Sequence, residues 1–240
     1  MLPESYAKDW QFNRIKFMVG LYGEDFFKGK SILELGPFNG LIGNYFHELG
    51  AKLKLVEGRQ SNIDTIINRY YPHLDAVQGN LDTDEWKYGK YDIIINFGLN
   101  YHLEKYHKEH LVNCIRNCDF MFFETVVFDS YDSEIYFRSE SGNDQSLTGK
   151  GGNPSTSFIE DIFKEENCKF TKYTDPRLNG TRHEYDWPDI NSKILRGCRR
   201  RFWTVDMIND STVNEDFVDQ NFVNQYPFKP HPKWVDRFSK

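Results

Sequence analysis

Apolar positions along this chain switch repeatedly between two periods. Residues 31–36 form a short apolar run, and Ile42, Tyr45, Phe46 and Leu49 then recur at i, i+3, i+4 and i+7 until Gly50. The spacing predicts a buried strand leading directly into a core-facing helix. Residues 51–57 read as a second strand, Ile63, Ile66, Ile67, Tyr70 and Tyr71 as a second helical stripe stopped by Pro72, and 73–79 as a weaker third strand. Residues 91–97 (Tyr-Asp-Ile-Ile-Ile-Asn-Phe) are a continuous apolar run suited to a strand buried on both faces. A helix over 104–117 and a fifth strand over 120–127 follow. Repeated β then α predicts an α/β fold with a doubly wound, mostly parallel sheet and right-handed crossovers, whose ligands bind beyond the carboxyl ends of the strands.

The alternation breaks at 129–154, a polar, Gly-rich segment longer than loops usually run without a function, and read here as a lid or substrate loop. A capping box from Ser157 to Glu160 then opens a helix carrying Phe158, Ile159, Ile162 and Phe163. Residues 169–174 and 199–207 supply two more strands, which makes seven. The loop between them holds Tyr185, Asp186 and Trp187 and is expected to help roof the cleft. The organisation expected is one domain over 1–240, with an N-terminal helical segment (1–29), the inserted lid and a C-terminal extension (208–240).

Composition narrows the partners. A net charge of −6 argues against a whole-surface nucleic-acid binder, although a local basic patch stays open. There is neither an apolar stretch of about 18 residues nor a signal-peptide pattern, so no membrane partner is expected. Four cysteines in 240 residues suit a reducing compartment, and the expected location is cytoplasmic. The 16% aromatic content fits a Phe- and Tyr-rich core and equally a pocket with flat walls.

The turn after the first strand, Glu34-Leu35-Gly36-Pro37-Phe38-Asn39-Gly40, lets backbone approach a ligand, and Glu57 follows at the distance from which a carboxylate can accept both ribose hydroxyls. An adenosine-containing cofactor is implied. A dinucleotide fingerprint needs its second glycine against the pyrophosphate. Phe38 stands there instead, next to Pro37, which has no N–H to offer. S-adenosylmethionine carries adenosine but no phosphate, so the turn and the carboxylate favour it over NAD.

At these residues the chain resembles the class I S-adenosylmethionine-dependent methyltransferases, specifically a branch with ELGPxxG, EGR and GxxYHL motifs. Here they read Glu34 to Gly40, Glu57-Gly58-Arg59 and Gly98-Leu99-Asn100-Tyr101-His102-Leu103, and the likeness covers about residues 30–128. The resemblance implies a Rossmann-like methyltransferase fold whose last strand is antiparallel. It implies that Gly36 and Gly40, with Pro37 and Phe38 between them, turn against the methionine moiety, that Glu34 holds the amino-acid end, and that Glu57, followed by Gly58, binds the ribose. Phe97 and Gly98 would lie beside the adenosine or the methyl group. Where the family usually has an adenine-binding Asp, this chain has Gly79-Asn80-Leu81-Asp82, so Asn80, beside Leu81, or else Asp82 takes that contact.

Methyl transfer leaves the protein to align the reactants and, for a hydroxyl or amine, to remove a proton. His102, just past the fourth strand, is assigned as base or acceptor-orienting group. Its structural alternative is to cap the next helix or to bond Glu104. Tyr101 is expected to stack on the acceptor or to pack under the lid, and Glu124, beside Thr125, to bind acceptor hydroxyls or a lid hydrogen bond.

Three patterns carry less. His107, His110, Cys114 and Cys118 suggest zinc, but about 16 Å separates the first from the last along one helix, too far for one tetrahedral ion, so no metal is expected. Gly149-Lys150-Gly151-Gly152 lacks the P-loop spacing and reads as lid flexibility. Lys193, Arg196, Arg199, Arg200 and Arg201 could grip an anion or RNA, or could face solvent near Asp210, Glu215, Asp216 and Asp219. The function expected is methylation of a small polar acceptor, at an oxygen of a sugar or metabolite. The alternatives are an RNA or other nucleic-acid methyltransferase and a non-catalytic donor-binding module.

Overall fold

The computed structural model describes residues 8–128, 130–142, 145–181, 183–187 and 198–224. Five parallel strands come first: β1 (Ser31–Leu35), β2 (Lys52–Glu57), β3 (Asp75–Gln78), β4 (Tyr91–Phe97) and β5 (Cys118–Val126). After a hairpin of β6 (Ile135–Ser139) and β7 (Lys150–Pro154) come β8 (Lys169–Tyr173), β9 (His183–Glu184) and β10 (Cys198–Asp206). The main sheet runs β3-β2-β1-β4-β5-β10-β8, with the two-residue β9 alongside β10. β10 is antiparallel to both β5 and β8.

Each central strand feeds two cores. Ile32 of β1, Ile93 and Ile95 of β4 and Phe120 and Phe122 of β5 pack on one face. Leu33 and Leu35, Ile94, and Met121 and Phe123 alternate onto the other. The first face is covered by α1 (Asp9–Tyr22), α2 (Leu41–Glu48) and α3 (60–70), through Phe17, Leu21, Ile42, Phe46, Ile63 and Ile67. A π-helical turn occupies Ile63–Ile67 of α3. The second face is covered by α4 (His107–Arg116) and α5 (Thr156–Glu165), through Leu111, Ile115, Ile159 and Phe163. No helix of the described residues is long and apolar enough to cross a membrane.

Several expectations change. The 129–154 insertion is not a featureless loop, because β6 and β7 pair antiparallel from Ile135↔Pro154 to Ser139↔Lys150. Its glycines serve close packing rather than flexibility. A Cβ on Gly151 would lie 2.5 Å from the Tyr101 carbonyl oxygen, and one on Gly152 would lie 2.6 Å from His107 Nε2. The cap of α5 is Ser155, whose hydroxyl accepts from the Phe158 N–H at 3.1 Å. Ser157 instead donates to the Tyr131 carbonyl. Tyr185 and Trp187 do not roof anything: both are fully buried, Trp187 donating to the Arg200 carbonyl and lying 3.6 Å from the Arg201 guanidinium. The described part of the C-terminal extension packs back on α1, with Asn214 N–H bonded to the Leu21 carbonyl. Asp129, Lys193, Arg196 and residues 225–240 lie outside the described residues.

Candidate functional site

The chain winds outward over β1-β2-β3 and then returns through β4 and β5, so the sheet reverses direction of growth between β1 and β4. A cleft opens at the carboxyl ends of strands beside such a switch point. Here it has a volume of about 480 Å³ and is lined by Gly36, Phe38, Glu57, Gly58, Asn80, Leu81, Phe97, Gly98, Tyr101 and His102. Ten of the residues singled out in the sequence are thus brought to one cavity. Pro37 and Gly40 form the turn beneath it, the Pro37 carbonyl accepting from the Asn39 and Gly40 N–H groups. Gly36 and Gly40 take φ of 66° and 74°, the left-handed region that a glycine adopts without strain. Phe38 takes φ of 55° between them.

One end of the cleft is organised by Glu57. Its Oε2 accepts from the Phe38 N–H at 3.0 Å, and its Oε1 accepts from the Arg59 N–H at 3.0 Å and from Asn62 Nδ2 at 3.1 Å. The first turn and the second motif are therefore tied together, with the carboxylate fixed at the cavity wall. Glu34 does not line the cavity. It lies under the turn, 4% exposed, accepting from the Gly43 N–H; burial first, then the charge of Glu57, pushes its carboxyl up to about 8. The carboxylate of Asp82 is occupied by the N–H groups of Glu104, Lys105 and Tyr106, so it organises the entry to α4. The Asn80 side-chain oxygen accepts from the Asp82 N–H, which leaves its amide N–H₂ to face a ligand.

The insertion covers the middle. Arg59 Nη2 reaches the carbonyls of Gln145 and Ser146, at 2.8 and 3.0 Å, and Leu147 packs over Gly58. Glu140, at the end of β6, places Oε2 2.6 Å from His102 Nδ1. This is the partner of His102; the alternatives of capping the next helix or bonding Glu104 do not describe it. Glu140 also accepts from Arg138 and from the Ser146 N–H. Burial works to raise its pKa, but the His102 hydrogen bond and charge, the Ser146 N–H and Arg138 together hold it below the ordinary carboxylate range. With Nδ1 held by a carboxylate, the neutral imidazole carries its proton there and keeps the Nε2 lone pair as acceptor.

The other end is closed by residues the sequence did not single out together. Because β10 runs antiparallel, its first residues lie beside the carboxyl end of β5, and Arg200 sits diagonally across from Glu124. Arg200 Nη1 donates to Glu124 Oε1 at 2.7 Å and Nη2 to the Tyr101 hydroxyl at 3.1 Å. Arg14 of α1 brings Nη2 to 2.6 Å from Glu124 Oε2, donates from Nε to the Tyr185 hydroxyl, and lies over the Trp10 ring. Glu124 therefore stands behind the lining, held by two guanidinium groups, and Tyr101 is packed against Arg200. His183 completes the wall; burial, then the charges of Arg200 and Arg14, push its pKa far down and keep it neutral. Arg14 lies on α1, within the expected N-terminal helical segment, and nothing in the sequence linked it to Glu124 or Arg200.

The remaining patterns lie elsewhere. His110 Nε2 is 2.9 Å from Asn96 Nδ2, and burial with the neighbouring His107 pushes its pKa down to about 4. Among the described residues no group of His, Cys, Asp or Glu side chains is arranged to hold a metal ion. Of the basic run, Arg199, Arg200 and Arg201 are all buried.

No family model matches the chain, and no curated protein sequence does either. Solved structures do. The N-terminal domain of EvdMO1, crystallised in the presence of SAH and D-fucose, superposes with a TM-score of 0.60 at 14% identity, covering 82% of this chain and 83% of that one. The CcbJ methyltransferase from Streptomyces caelestis gives 0.54 at 11% identity, covering 83% and 90%. The 1,6-didemethyltoxoflavin-N1-methyltransferase of Burkholderia thailandensis, with 1,6-didemethyltoxoflavin and S-adenosylhomocysteine bound, gives 0.50 at 12%, covering 82% and 79%. The chain has the Rossmann-like α/β fold of these three structures, two of which are named as methyltransferases.

Proposed function

We propose that the protein is an S-adenosylmethionine-dependent methyltransferase that methylates a hydroxyl oxygen of a small, polar acceptor. The observation that carries this reading is one cleft at the switch point with a fixed carboxylate, Glu57, at its adenosine end and a His102–Glu140 pair further along. The residues present fit the donor. Glu57 keeps one lone pair, on Oε2, for a ribose hydroxyl while the Phe38 and Arg59 N–H groups and the Asn62 amide hold it in place, and Asn80 offers an amide to an adenine edge. Gly36 and Gly98, both at positive φ, let the donor approach backbone at the ends of β1 and β4. Phe38 and Pro37 leave no cradle for a diphosphate.

The donor supplies, when bound, a methyl carbon activated by its sulfonium. The chain's own part is alignment and proton removal. His102 Nε2 accepts the proton of the acceptor hydroxyl, so the oxygen gains nucleophilicity as it approaches. Glu140 holds the ring in the tautomer that leaves Nε2 free, and its charge stabilises the imidazolium that results. Arg59, one residue from the Glu57-Gly58 wall, grips the loop that follows Glu140, so the donor site and the base share one scaffold. Arg199, Arg200 and Arg201 are buried, so these three form no surface patch for the backbone of an RNA.

Calorimetric binding of S-adenosylhomocysteine and, separately, of NAD tests the reading. Wild-type protein should bind the adduct and not NAD, and Glu57→Ala should lose about 1.5–3 kcal/mol, the worth of hydrogen bonds to a charged acceptor. Failure to bind the adduct, or preference for NAD, sinks it.

A further inference from the structure

Two guanidinium groups share one carboxylate at the closed end of the cleft. Arg14, Arg200 and Glu124 are 1%, 4% and 0% exposed, and among the described residues neither arginine forms an ion pair with a second acid. Among the described residues, the groups that touch the two guanidinium groups besides Glu124 include the uncharged Trp10, Phe97, Tyr101 and Tyr185, with the neutral His183 nearby. Arg200 Nε is buried without a hydrogen-bond partner. An arginine cannot shed its proton to relieve such an excess, and a buried charge without a counter-charge is costly.

We propose that this end of the cleft binds an anionic group, a carboxylate or phosphate, of the acceptor, so that the substrate is a hydroxylated acid or phosphate ester rather than a neutral alcohol. The proposal rests on the methyltransferase reading for the word acceptor. Placement favours it: Arg200 Nη1 would lie 3.5 Å from a Cβ on Gly98, at the end of β4, and so on the side of the cleft away from Glu57. A planar fork of N–H donors also suits bidentate recognition of a carboxylate or phosphate.

The test uses Arg14→Met, which keeps the length of the side chain and leaves Arg200 and Glu124 as a balanced pair, so the fold is retained. Thermal stability is followed in malonate, in inorganic phosphate and in neutral malonamide, at ionic strength fixed with chloride, with and without saturating S-adenosylhomocysteine. The expected result is saturable stabilisation of the adduct-loaded wild type by malonate or phosphate and not by malonamide, weakened at least ~10-fold in Arg14→Met, the loss of one charge-assisted contact. No anion-specific stabilisation of the loaded wild type overturns the proposal. So does a second pattern: Arg14→Met weakens S-adenosylhomocysteine ~10-fold while leaving 5′-methylthioadenosine, which lacks the amino-acid end, unchanged, because the arginines then hold the donor's own carboxylate. If the adduct does not bind at all while anions still stabilise the wild type through Arg14, it is the methyltransferase reading that fails.

Discussion

The two ends of the cleft dispose of buried charge in opposite ways. At one end, Glu34 lies under the Gly36–Gly40 turn with no ion-pair partner among the described residues, and burial raises its pKa to about 8, which favours the neutral carboxyl. At the far end, Arg14 and Arg200 have no such recourse, since a guanidinium stays charged at any pH a protein survives. They are held by Glu124, one carboxylate for two cations. A carboxyl end can be neutral and silent, whereas an arginine end must be answered by an anion. The difference teaches that the sign of a buried group decides whether a site tolerates being empty.

The strongest way to break the comparison is Glu124→Ala, which strands two guanidinium groups in the interior. It should cost about 3–5 kcal/mol of stability or prevent folding, read from denaturant unfolding, whereas Arg14→Met should cost far less. Equal losses in the two variants would remove the charge argument.

At the other end, the carboxyl of Glu34 is raised from 4.5 to about 8 in the folded protein. Its contribution is therefore full below about pH 4.5 and is lost as pH rises through 8. Glu34→Gln, which mimics the protonated form, should flatten that limb of a stability-against-pH curve by roughly 2–4 kcal/mol at pH 9. An unchanged slope would show that Glu34 is solvated or paired.

Between the two ends, His102→Ala should lower kcat by about 10²–10⁴ with little change in S-adenosylhomocysteine affinity. Glu140→Gln should do less, about tenfold in kcat with KM for the acceptor little changed, because the ring loses the group that orients it. An unchanged kcat would leave Glu140 a purely structural residue.

The smallest effects concern the hinge between the regions. Gly152→Ala drives a methyl group toward His107 and Ile135 and should cost about 1–3 kcal/mol of stability. Arg59→Ala removes the hold on the carbonyls of 145 and 146 and should raise hydrogen exchange in that loop, at a cost of about 1 kcal/mol.

Most of the Glu57 end of the cleft was legible because its parts are local. A strand, a glycine turn, a helix and a second strand ending in an acid are specified by periodicity over some thirty residues, and short-range geometry then brings Gly36, Phe38 and Glu57 together. The insertion was harder. Its sequence reads as polar loop, but Gly151 and Gly152 are the price of lying against Tyr101 and His107, contacts that no local pattern announces. Ser155 was missed as a cap because Ser157 satisfied the same motif two residues later.

The sequence by itself determined the alternation of strands and helices as far as β5, the parallel half of the sheet, the turn and acid at one end of the cleft, and the presence of a histidine past β4. Only the tertiary structure decided that Glu140 is the partner of that histidine and that Arg14, Glu124 and Arg200 form one cluster. These side chains come from α1, the end of β5 and the start of an antiparallel β10, separated by scores of residues and joined only when the sheet closes and α1 packs across it. Hydrophobic period encodes which face of an element is buried, but it carries no information about which charged groups the burial of several elements will bring within 3 Å of one another.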